Sequence, residues 1–423
     1  MLRMTTYLKA LLADQPMAPE RSARGPGSGP VVIWNLIRQC NLLCQHCYAS
    51  AANKQFAGEL DTAEVFRVLD DLHASGVRVL ILSGGEPLMR PDIFEIARRA
   101  KSLGMYVGLS SNGTLIDART IDAVAAVGFD YIGVSLDGIG ATHDAFRGVE
   151  GSYAQSLQGI RLCVERGLKV GIRFTMTEGN AHDLPALLQL MEDENLDKFY
   201  FSHLNYAGRG NANRETDAYH QRTRWAMDLL VDACVRSIQQ GRAREFVTGN
   251  NDADGVYLLQ WARRHHPERQ EALARMERLL LRWGGNSSGV NVANIDNRGY
   301  VHPDTMWWKV RLGNVRERSF GAIWADTTHP LMAGLKQSPR PVQGRCAACS
   351  WLPLCNGNTR VRAWELTGDY WAADPACYLS DAEIGVEPGS YAVPDHALAR
   401  RLRSIPITSA PDDELETAPC AHS

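Results

Sequence analysis

The sequence lacks a long run of basic residues, an apolar run of membrane-spanning length and a leader-like start. Lys and Arg number 45 against 48 Asp and Glu, giving a formal net charge of −3, so the basic footprint of a nucleic-acid-binding protein is missing. No stretch of about 18 apolar residues occurs, and the first residues contain no small-residue cleavage site of the signal-peptide kind. We therefore expect a cytoplasmic protein with neither nucleic acid nor membrane as partner.

Cysteine is the residue whose distribution carries most information. The chain has 10 cysteines, and in a reducing compartment clustered thiols bind metal or do redox work more often than they form disulfides. Seven of them form two groups: Cys40, Cys44 and Cys47, then Cys346, Cys349, Cys355 and Cys377. The remaining three, Cys163, Cys234 and Cys420, stand alone, and we expect them in the core or the tail.

Strand-like and helical patterns alternate from residue 31 to about residue 205. The predicted strands are Val31–Leu36, Val77–Leu82, Met105–Leu109, Tyr131–Ser135, Val170–Phe174 and Phe199–His203. The predicted helices between them cover residues 62–74, 92–103, 117–127, 152–166 and 183–193. Six strands joined by helical crossovers predict a parallel sheet, and hence an α/β fold of the open or closed barrel type.

Changes in composition divide the chain into five predicted segments. These are an N-terminal segment and Pro- and Gly-rich linker over residues 1–30, the barrel over 31–213, a helical connection over 214–285, a small cysteine-bearing module over 286–380 and a disordered tail over 381–423. The two cysteine groups thus fall in different segments.

The first cysteine group follows the first predicted strand directly. Cys40, Cys44 and Cys47 lie within eight residues of one another, at the carboxyl end of the sheet, where α/β proteins place their sites. A 4Fe-4S cluster on three cysteines leaves one iron without a protein ligand, and an open metal position is typical of reactive sites. Spacing alone leaves open a zinc knuckle with His46 as fourth ligand.

Two motifs together resemble the radical S-adenosylmethionine superfamily. One is Cys40-x3-Cys44-x-His46-Cys47 followed by Tyr48, and the other is the Gly84-Gly85-Glu86-Pro87 loop after the second strand. The resemblance implies that S-adenosylmethionine chelates the open iron through its amine and carboxylate, that one electron from the cluster cleaves it to a 5′-deoxyadenosyl radical, and that the glycine-containing loop binds the methionyl amine. Glycines suit that role because they let backbone carbonyls approach a ligand closely.

The same resemblance assigns further cofactor contacts. Asn112 follows the third strand and Ser135 ends the fourth, positions from which this superfamily reaches the ribose and the methionyl carboxylate. Helix capping and turn formation are the alternatives for both residues. Arg147 and Arg173 are candidates to neutralise the carboxylate, since guanidinium binds carboxylate in bidentate fashion. A structural role is the alternative for each arginine.

The second cysteine group supplies four thiolates, a complete ligand set for one 4Fe-4S cluster or one zinc ion. Its Cys346-x2-Cys349-x5-Cys355 spacing, with Cys377 further on, resembles the SPASM or twitch extension of radical S-adenosylmethionine barrels. The two further cysteines of a two-cluster module are absent, because Asn286 or Ser287 and Asp304 occupy the corresponding places. We therefore predict a single auxiliary cluster, suited to electron transfer.

Longer segments resemble the NirJ family of haem d1 biosynthesis. They are residues 29–48, 80–92, 203–210 and 346–355. The resemblance implies removal of two propionate side chains from didecarboxysirohaem, with flavodoxin or ferredoxin as reductant. The alternatives are a peptide- or protein-modifying maturase, an enzyme that removes acetate side chains from a similar macrocycle, and a cluster-bearing sensor or electron carrier without catalysis.

A flat tetrapyrrole with carboxylate arms needs apolar faces and basic groups. The candidate contacts are Trp307, Trp308, Lys309, Arg311, Arg360, Arg362, Trp364, His203, Asn205 and Arg209. Core packing is the alternative for the aromatic residues. His203 is in addition a candidate axial ligand or proton donor, with a satisfied structural histidine as the alternative.

Overall fold

The fold was analysed in a computed structural model that describes residues 1–13, 29–242, 244–391 and 397–403. Its strands are β1 (Leu2–Arg3), β2 (Val31–Ile37), β3 (Val79–Gly84), β4 (Tyr106–Ser111), β5 (Tyr131–Ser135), β6 (Val170–Met176), β7 (Lys198–His203), β8 (Glu245–Gly249), β9 (Val292–Ile295), β10 (Tyr300–His302) and β11 (Gly313–Asn314). They form a single sheet in the order β1-β8-β7-β6-β5-β4-β3-β2-β9-β10-β11.

Seventeen α-helices are present in the described part of the chain. They are α1 (Met4–Leu12), α2 (Thr62–Ala74), α3 (Ile93–Ser102), α4 (Ile121–Val127), α5 (Ala141–Arg147), α6 (Ser152–Glu165), α7 (Leu184–Asp193), α8 (Gly208–Ala212), α9 (His220–Gln239), α10 (Ala253–His265), α11 (Gln270–Trp283), α12 (Phe320–Ala325), α13 (Pro330–Leu335), α14 (Gly344–Ala348), α15 (Leu352–Cys355), α16 (Arg360–Thr367) and α17 (Ala397–Leu402). Among the helices described, none is long and apolar enough to span a bilayer.

The predicted α/β architecture is confirmed. The strands from β8 through β2 to β9 pair in parallel, so β8 and β9 extend the six predicted strands at both sides. Strand β1 pairs antiparallel with β8 at one edge, and at the other side β10 pairs antiparallel with β9 and with the edge strand β11. Within the described part of the chain β1 and β11 do not pair with each other, so the barrel stays open.

The two faces of the sheet differ in character. The inner face carries polar side chains, with Asn35 beside Ser83 and Ser135 beside Arg173 in register. The other face is apolar and packs against the helices, with Trp34, Leu82, Val134, Phe174 and Phe201 all fully buried. This alternation is what a half-solvated strand produces, because successive side chains point to opposite faces.

Both ends of the chain depart from the predicted segments. The first residues pair with β8 and pack α1 against α9 and α11, whereas residues 14–28 of the predicted linker lie outside the described residues. The expected disorder over residues 381–423 is wrong for α17, because Leu398 and Leu402 are buried against Leu204 and Tyr206. Residues 404–423, with Cys420, lie outside the described residues.

The predicted boundary at residue 286 does not interrupt the sheet. Strand β9 pairs in parallel with β2, from Val31 beside Val292 to Trp34 beside Ile295. The cysteine-bearing module therefore continues from the barrel through shared backbone hydrogen bonds. The predicted helical connection likewise contains a strand, β8, which pairs in parallel with β7.

Candidate active site

The first cysteine group lies in the loop that leaves the carboxyl end of β2. Cys40 and Cys44 are buried and Cys47 is half-buried. The Cys40 N–H donates to the Ala52 carbonyl at 3.0 Å, which closes the loop on itself. The fold therefore places these thiols at the carboxyl ends of the parallel strands, as predicted.

Helix α5 holds one side of the cysteine loop. The Leu43 N–H donates to the Arg147 carbonyl at 2.9 Å, and the Gln45 N–H donates to the Phe146 carbonyl at 3.0 Å. These carbonyls belong to the last turn of α5, where backbone acceptors have no partner within the helix. The cysteine loop thus supplies the donors that the helix end needs.

Arg209, at the start of α8, holds the other side. Its Nε donates to the Cys44 carbonyl and its Nη1 to the Ala51 carbonyl, both at 2.7 Å. The preceding Gly208 has φ of +54°, and a β-carbon there would stand 2.4 Å from the Tyr48 carbonyl oxygen, so this close approach requires glycine. Arg209, predicted as a possible substrate contact, fixes the backbone around two cysteines.

The Gly84–Pro87 loop forms the third support. The Gly85 N–H donates to the Ile37 carbonyl at 2.7 Å, and the Glu86 N–H donates to the Gln39 carbonyl at 2.9 Å. Gly84 has φ of +147°, and a β-carbon on it would stand 2.2 Å from the Ile37 oxygen. These glycines thus allow the close contact between two protein loops, a role that the sequence, which suggested a ligand-binding loop or a simple turn, did not predict.

Glu86 is a fully buried carboxyl group beside the cysteines. It accepts hydrogen bonds from the Asn112 N–H at 2.8 Å, from the Ser111 hydroxyl at 2.9 Å and from the Leu88 N–H at 3.1 Å. Burial raises its pKa from 4.5 to about 7, although these hydrogen bonds oppose the shift. The carboxyl therefore ties the Gly84–Pro87 loop to the end of β4.

The predicted cofactor contacts differ in how many interactions their side chains already make within the protein. Asn112 uses its side-chain amide within the protein, since Nδ2 donates to Asn41 at 2.9 Å and Oδ1 accepts from the Thr114 N–H at 2.9 Å. Ser135 is half-buried on the inner face, beside Arg173. Arg173 donates to the Ser110 hydroxyl and stacks on Tyr200 with 5.1 Å between guanidinium and ring centre.

Arg147 lies beneath the cysteine loop rather than on the inner face. Its Nη1 donates to the Cys44 sulfur at 3.4 Å, and its Nη2 forms a buried ion pair with Asp137. The imidazole of His46 stacks on Phe146 at 4.7 Å, with Nε2 at 3.9 Å from Asp137 Oδ2. A buried cation therefore faces one of the three thiols.

Burial strongly affects the thiols of the first cysteine group. Burial raises the pKa of Cys40 to about 12 and also raises that of Cys44, so a thiolate there needs a bound cation. Across the described ranges, no group of three or more His, Cys, Asp and Glu side chains is suited to a single metal ion.

The second cysteine group converges on one cavity. Cys346, Cys349, Cys355 and Cys377 line it together with Ala253 and Val256 of α10. The cysteines therefore come from α14, α15 and the segment after α16, as the spacing predicted for a single site. The lone Cys163 and Cys234 are fully buried elsewhere in the core, as expected.

Polar groups fill the places where a two-cluster module has its further cysteines. The Asn286 amide donates to Asp252 at 2.9 Å and accepts from Arg340 at 2.8 Å. Asp304 is half-buried, accepts from the Met306 N–H at 2.7 Å and has a raised pKa, because desolvation disfavours its charge. This network is satisfied without a metal.

Of the predicted aromatic substrate contacts, Trp308 lies beside the first cysteine group. Its ring is 6.4 Å from that of Tyr48, which follows Cys47, and the Arg38 guanidinium lies 5.6 Å above it. The sequence analysis missed Arg38, although an arginine two residues before the first cysteine is a recognisable signal. The Trp308 indole Nε1 is buried without a hydrogen-bond partner within the described residues.

Several other predicted contacts are occupied in the fold. Trp307 is buried against Trp364 and Tyr370. Arg362 forms a fully buried ion pair with Asp374, and Arg360 donates to the Ala372 carbonyl. Lys309 pairs with Glu365, and Arg311 stacks on Tyr300. The side-chain oxygen Oδ1 of Asn205 accepts from the Tyr206 N–H.

His203 lies on the helix-facing side of β7. It shares that side with Phe201, in register with Met176, and its Nε2 lies 3.0 Å from Asp254 of α10. The Tyr378 hydroxyl donates to the same carboxylate at 2.8 Å. The alternative of a satisfied structural histidine is therefore the one the fold supports, since strand alternation turns this side chain away from the inner face.

Comparison with known proteins gives a consistent result. Residues 34–191 match the family model described as the Radical SAM superfamily. The chain is 53% identical over 386 residues to the pre-heme d1 synthase of Dinoroseobacter shibae, covering 91% of this chain and 94% of that protein. It is 44% identical to the Fe-coproporphyrin III synthase of Methanosarcina barkeri, covering 84% and 89% of the two chains.

Solved structures share the fold at low sequence identity. SuiB of Streptococcus suis bound to S-adenosylmethionine has a TM-score of 0.64 at 17% identity, covering 84% of this chain and 78% of that chain. The protein anSMEcpe with bound AdoMet has a TM-score of 0.63 at 19% identity, covering 82% and 90%. At these identities the likeness concerns the fold alone.

Proposed function

The chain belongs to the radical SAM superfamily, and from this we propose that it reductively cleaves S-adenosylmethionine and removes two propionate side chains from didecarboxysirohaem on the way to haem d1. The observation that carries the proposal is the 53% identity to a pre-heme d1 synthase over nearly the whole of both chains. The geometry adds support, because the cysteine loop and the Gly84–Pro87 loop are joined directly by backbone hydrogen bonds.

Cys40, Cys44 and Cys47 hold a 4Fe-4S cluster in this proposal. When bound, the cluster supplies the electron that cleaves S-adenosylmethionine to a 5′-deoxyadenosyl radical. The protein contributes the geometry: α5, α8 and the Gly84–Pro87 loop each hydrogen-bond to the backbone around the cysteines. Such support from three sides fixes the thiols before the cofactor binds, which reduces the ordering cost of binding.

Ser135 and Arg173 are the inner-face residues best placed to bind S-adenosylmethionine. Among the described residues, Ser135 has no side-chain hydrogen bond that would have to break. Arg173 is a half-buried cation next to it and suits a carboxylate. Gly84–Pro87 contributes backbone groups, and the Asn112 amide donates to Asn41 and lies 3.9 Å from the Cys40 sulfur. Arg147 supports Cys44 instead of the methionyl carboxylate, because Asp137 already pairs with its guanidinium.

Trp308 and Arg38 form the surface that receives the tetrapyrrole. The two side chains stack beside Tyr48 and therefore lie next to the first cysteine group. An indole face suits a flat macrocycle, and a guanidinium suits its carboxylate arms. The buried Trp308 Nε1 has no hydrogen-bond acceptor within the described part of the chain.

Cys346, Cys349, Cys355 and Cys377 hold one auxiliary 4Fe-4S cluster. Support comes from their convergence on one cavity, and Asn286 and Asp304 are hydrogen-bonded within the protein at the places where a two-cluster module has cysteines. With all four irons ligated, this cluster transfers electrons rather than binding substrate. A small one-electron carrier of the flavodoxin or ferredoxin kind is the reductant for the protein.

The test is anaerobic reconstitution, followed by iron and sulfide analysis and an assay of 5′-deoxyadenosine with reductant, with and without didecarboxysirohaem. We expect about eight irons per chain, four for each cluster, stimulation by the tetrapyrrole and a product mass showing loss of two propionates. Loss of acetates would favour the acetate-removing alternative. Absence of 5′-deoxyadenosine from a protein with intact clusters would refute the proposal.

Single cysteine variants separate the two groups. Cys44→Ala abolishes 5′-deoxyadenosine formation, whereas Cys355→Ala retains cleavage of S-adenosylmethionine and loses the tetrapyrrole product. Cys163→Ala is the matched control, because Cys163 is also buried but belongs to neither group. It retains the iron content and both activities. Equal losses in Cys44→Ala and Cys355→Ala would contradict this division of labour.

A further inference from the structure

Arg345, on α14, faces the second cysteine group from outside. Its Nη1 donates to the Cys377 sulfur at 3.3 Å, its Nε donates to Asp381 at 2.7 Å, and its Nη2 donates to the Leu379 carbonyl. The side chain is 13% exposed. Among the described residues, no other guanidinium donates a hydrogen bond to one of these four sulfurs.

We propose that Arg345 is a positioning residue that raises the reduction potential of the auxiliary cluster through its hydrogen bond to Cys377, and that Asp381 holds and partly offsets this charge. The inference rests on the proposed function, because it requires a cluster on the four cysteines. A higher reduction potential makes the auxiliary cluster a better electron acceptor, and we attribute this property to the side chain of Arg345.

The physical reason is electrostatic. Reduction adds one negative charge to a cluster, and a nearby cation stabilises the reduced form more than the oxidised form. Hydrogen bonds to the sulfurs act in the same direction and are recognised determinants of cluster potentials. Because Arg345 is largely buried, solvent screens its charge less than at the surface. The Asp381 carboxylate opposes the effect and fixes the guanidinium against Cys377.

A neighbouring arginine provides a matched comparison. Arg224 is 14% exposed, pairs with Glu383 and donates to the Tyr378 carbonyl at 3.2 Å. It therefore anchors the segment after Cys377 in the same way as Arg345 but has no hydrogen bond to a cysteine sulfur. Removing Arg224 tests the loss of an ion pair in this segment without removing a donor to sulfur.

The experiment uses the full chain with Cys40, Cys44 and Cys47 replaced by alanine, so that only the auxiliary cluster assembles. Its potential is measured by EPR-monitored redox titration in this background and with Arg345→Gln, Arg345→Lys, Asp381→Asn and Arg224→Gln added singly. Iron and sulfide contents are measured for each protein, so that a change in potential is compared only between fully loaded samples.

We expect Arg345→Gln to lower the equilibrium constant for reduction at least tenfold, which corresponds to 59 mV for one electron. Arg345→Lys should retain most of the potential, and Arg224→Gln should match the background protein. Asp381→Asn should raise the potential, since it removes a negative charge. This change, opposite in sign to that of Arg345→Gln, still tests the inference if Arg345→Gln binds too little iron to be measured. The same potential in Arg345→Gln and Arg224→Gln, or a fall in Asp381→Asn, would overturn the inference.

The result also distinguishes this inference from the proposed function on which it rests. A background protein without a reducible cluster would overturn both the auxiliary cluster and the role of Arg345. A normal cluster whose potential is indifferent to Arg345 would overturn only the latter.

Discussion

Gly85 lies against the carbonyl oxygen of Gln39, so closely that a β-carbon on Gly85 would stand 2.1 Å from that oxygen. The contact joins the loop after β3 to the residue that precedes Cys40. Any side chain at this position must push the two loops apart, because the obstacle is backbone on a strand end and not a flexible side chain. The Gly-Gly pair thus determines how the cysteine loop is placed.

Gly85→Ala should therefore prevent stable cluster assembly. We expect a loss of most of the iron bound by the first cysteine group after anaerobic reconstitution, measured as iron per chain and as visible absorbance. Gly179→Ala is the control, since a β-carbon there would meet only the Thr177 hydroxyl at 3.8 Å, an ordinary contact. Equal iron contents in the two variants would show that the Gly85 contact is not needed.

Arg209→Met should weaken retention of the cluster. The substitution leaves the buried carbonyls of Cys44 and Ala51 without their guanidinium donors, at a cost of about 1–3 kcal/mol for each unsatisfied group. We expect faster loss of iron to a chelator and a lower melting temperature. Arg214→Met serves as control, because Arg214 donates to the Asn211 side chain and not to the cysteine loop; similar rates in both variants would disprove the role of Arg209.

The strand and helix pattern of the barrel could be predicted because it depends on local periodicity. The helix predicted over residues 62–74 is α2, with the same bounds, since Asp61 and Glu64 form a capping box that fixes its start. Strand β8 was missed because Glu245–Gly249 has five residues between two long helices and gains its partners only from β1 and β7. Short strands of this kind are specified by tertiary pairing and not by propensity.

The cysteines of the candidate site could be predicted from the sequence, but the roles of the side chains around them could not. Cysteine spacing is a local signal, so both groups were identified from sequence. For His203 and Arg147 the sequence left two roles open, because the choice depends on direction. The fold favours the structural role: His203 lies on the helix-facing side of β7, and Arg147 turns under the cysteine loop to Asp137. One residue of register decides the face of a strand, and sequence alone does not fix it.

Glu86→Gln should alter the dependence of stability on pH. The pKa of Glu86 in the folded protein, about 7, exceeds its ordinary value of 4.5, so folding favours the protonated form. The stabilisation from that proton is complete below about pH 4.5 and is lost as the pH rises through about 7. A glutamine has no such proton, and it also loses one acceptor for the three donors around Glu86.

The measurement is the melting temperature of the cluster-free wild type and Glu86→Gln from about pH 5 to about pH 8. We expect the variant to be the less stable protein at low pH and the difference to shrink by about 2 kcal/mol as the pH rises. A difference that stays constant over this range would mean that Glu86 does not titrate there.

Trp308→Leu should weaken binding of the tetrapyrrole and leave cleavage of S-adenosylmethionine intact. The indole lies over Arg38 and beside Tyr48, so its loss removes a flat face next to the first cysteine group, whereas no cysteine ligand changes. An aromatic contact of this size contributes about 1 kcal/mol beyond the buried area, and we expect a dissociation constant for didecarboxysirohaem at least about tenfold higher. Trp225→Leu, on α9 with Arg222 over its ring, is the control; equal affinities by absorbance titration would place the substrate elsewhere.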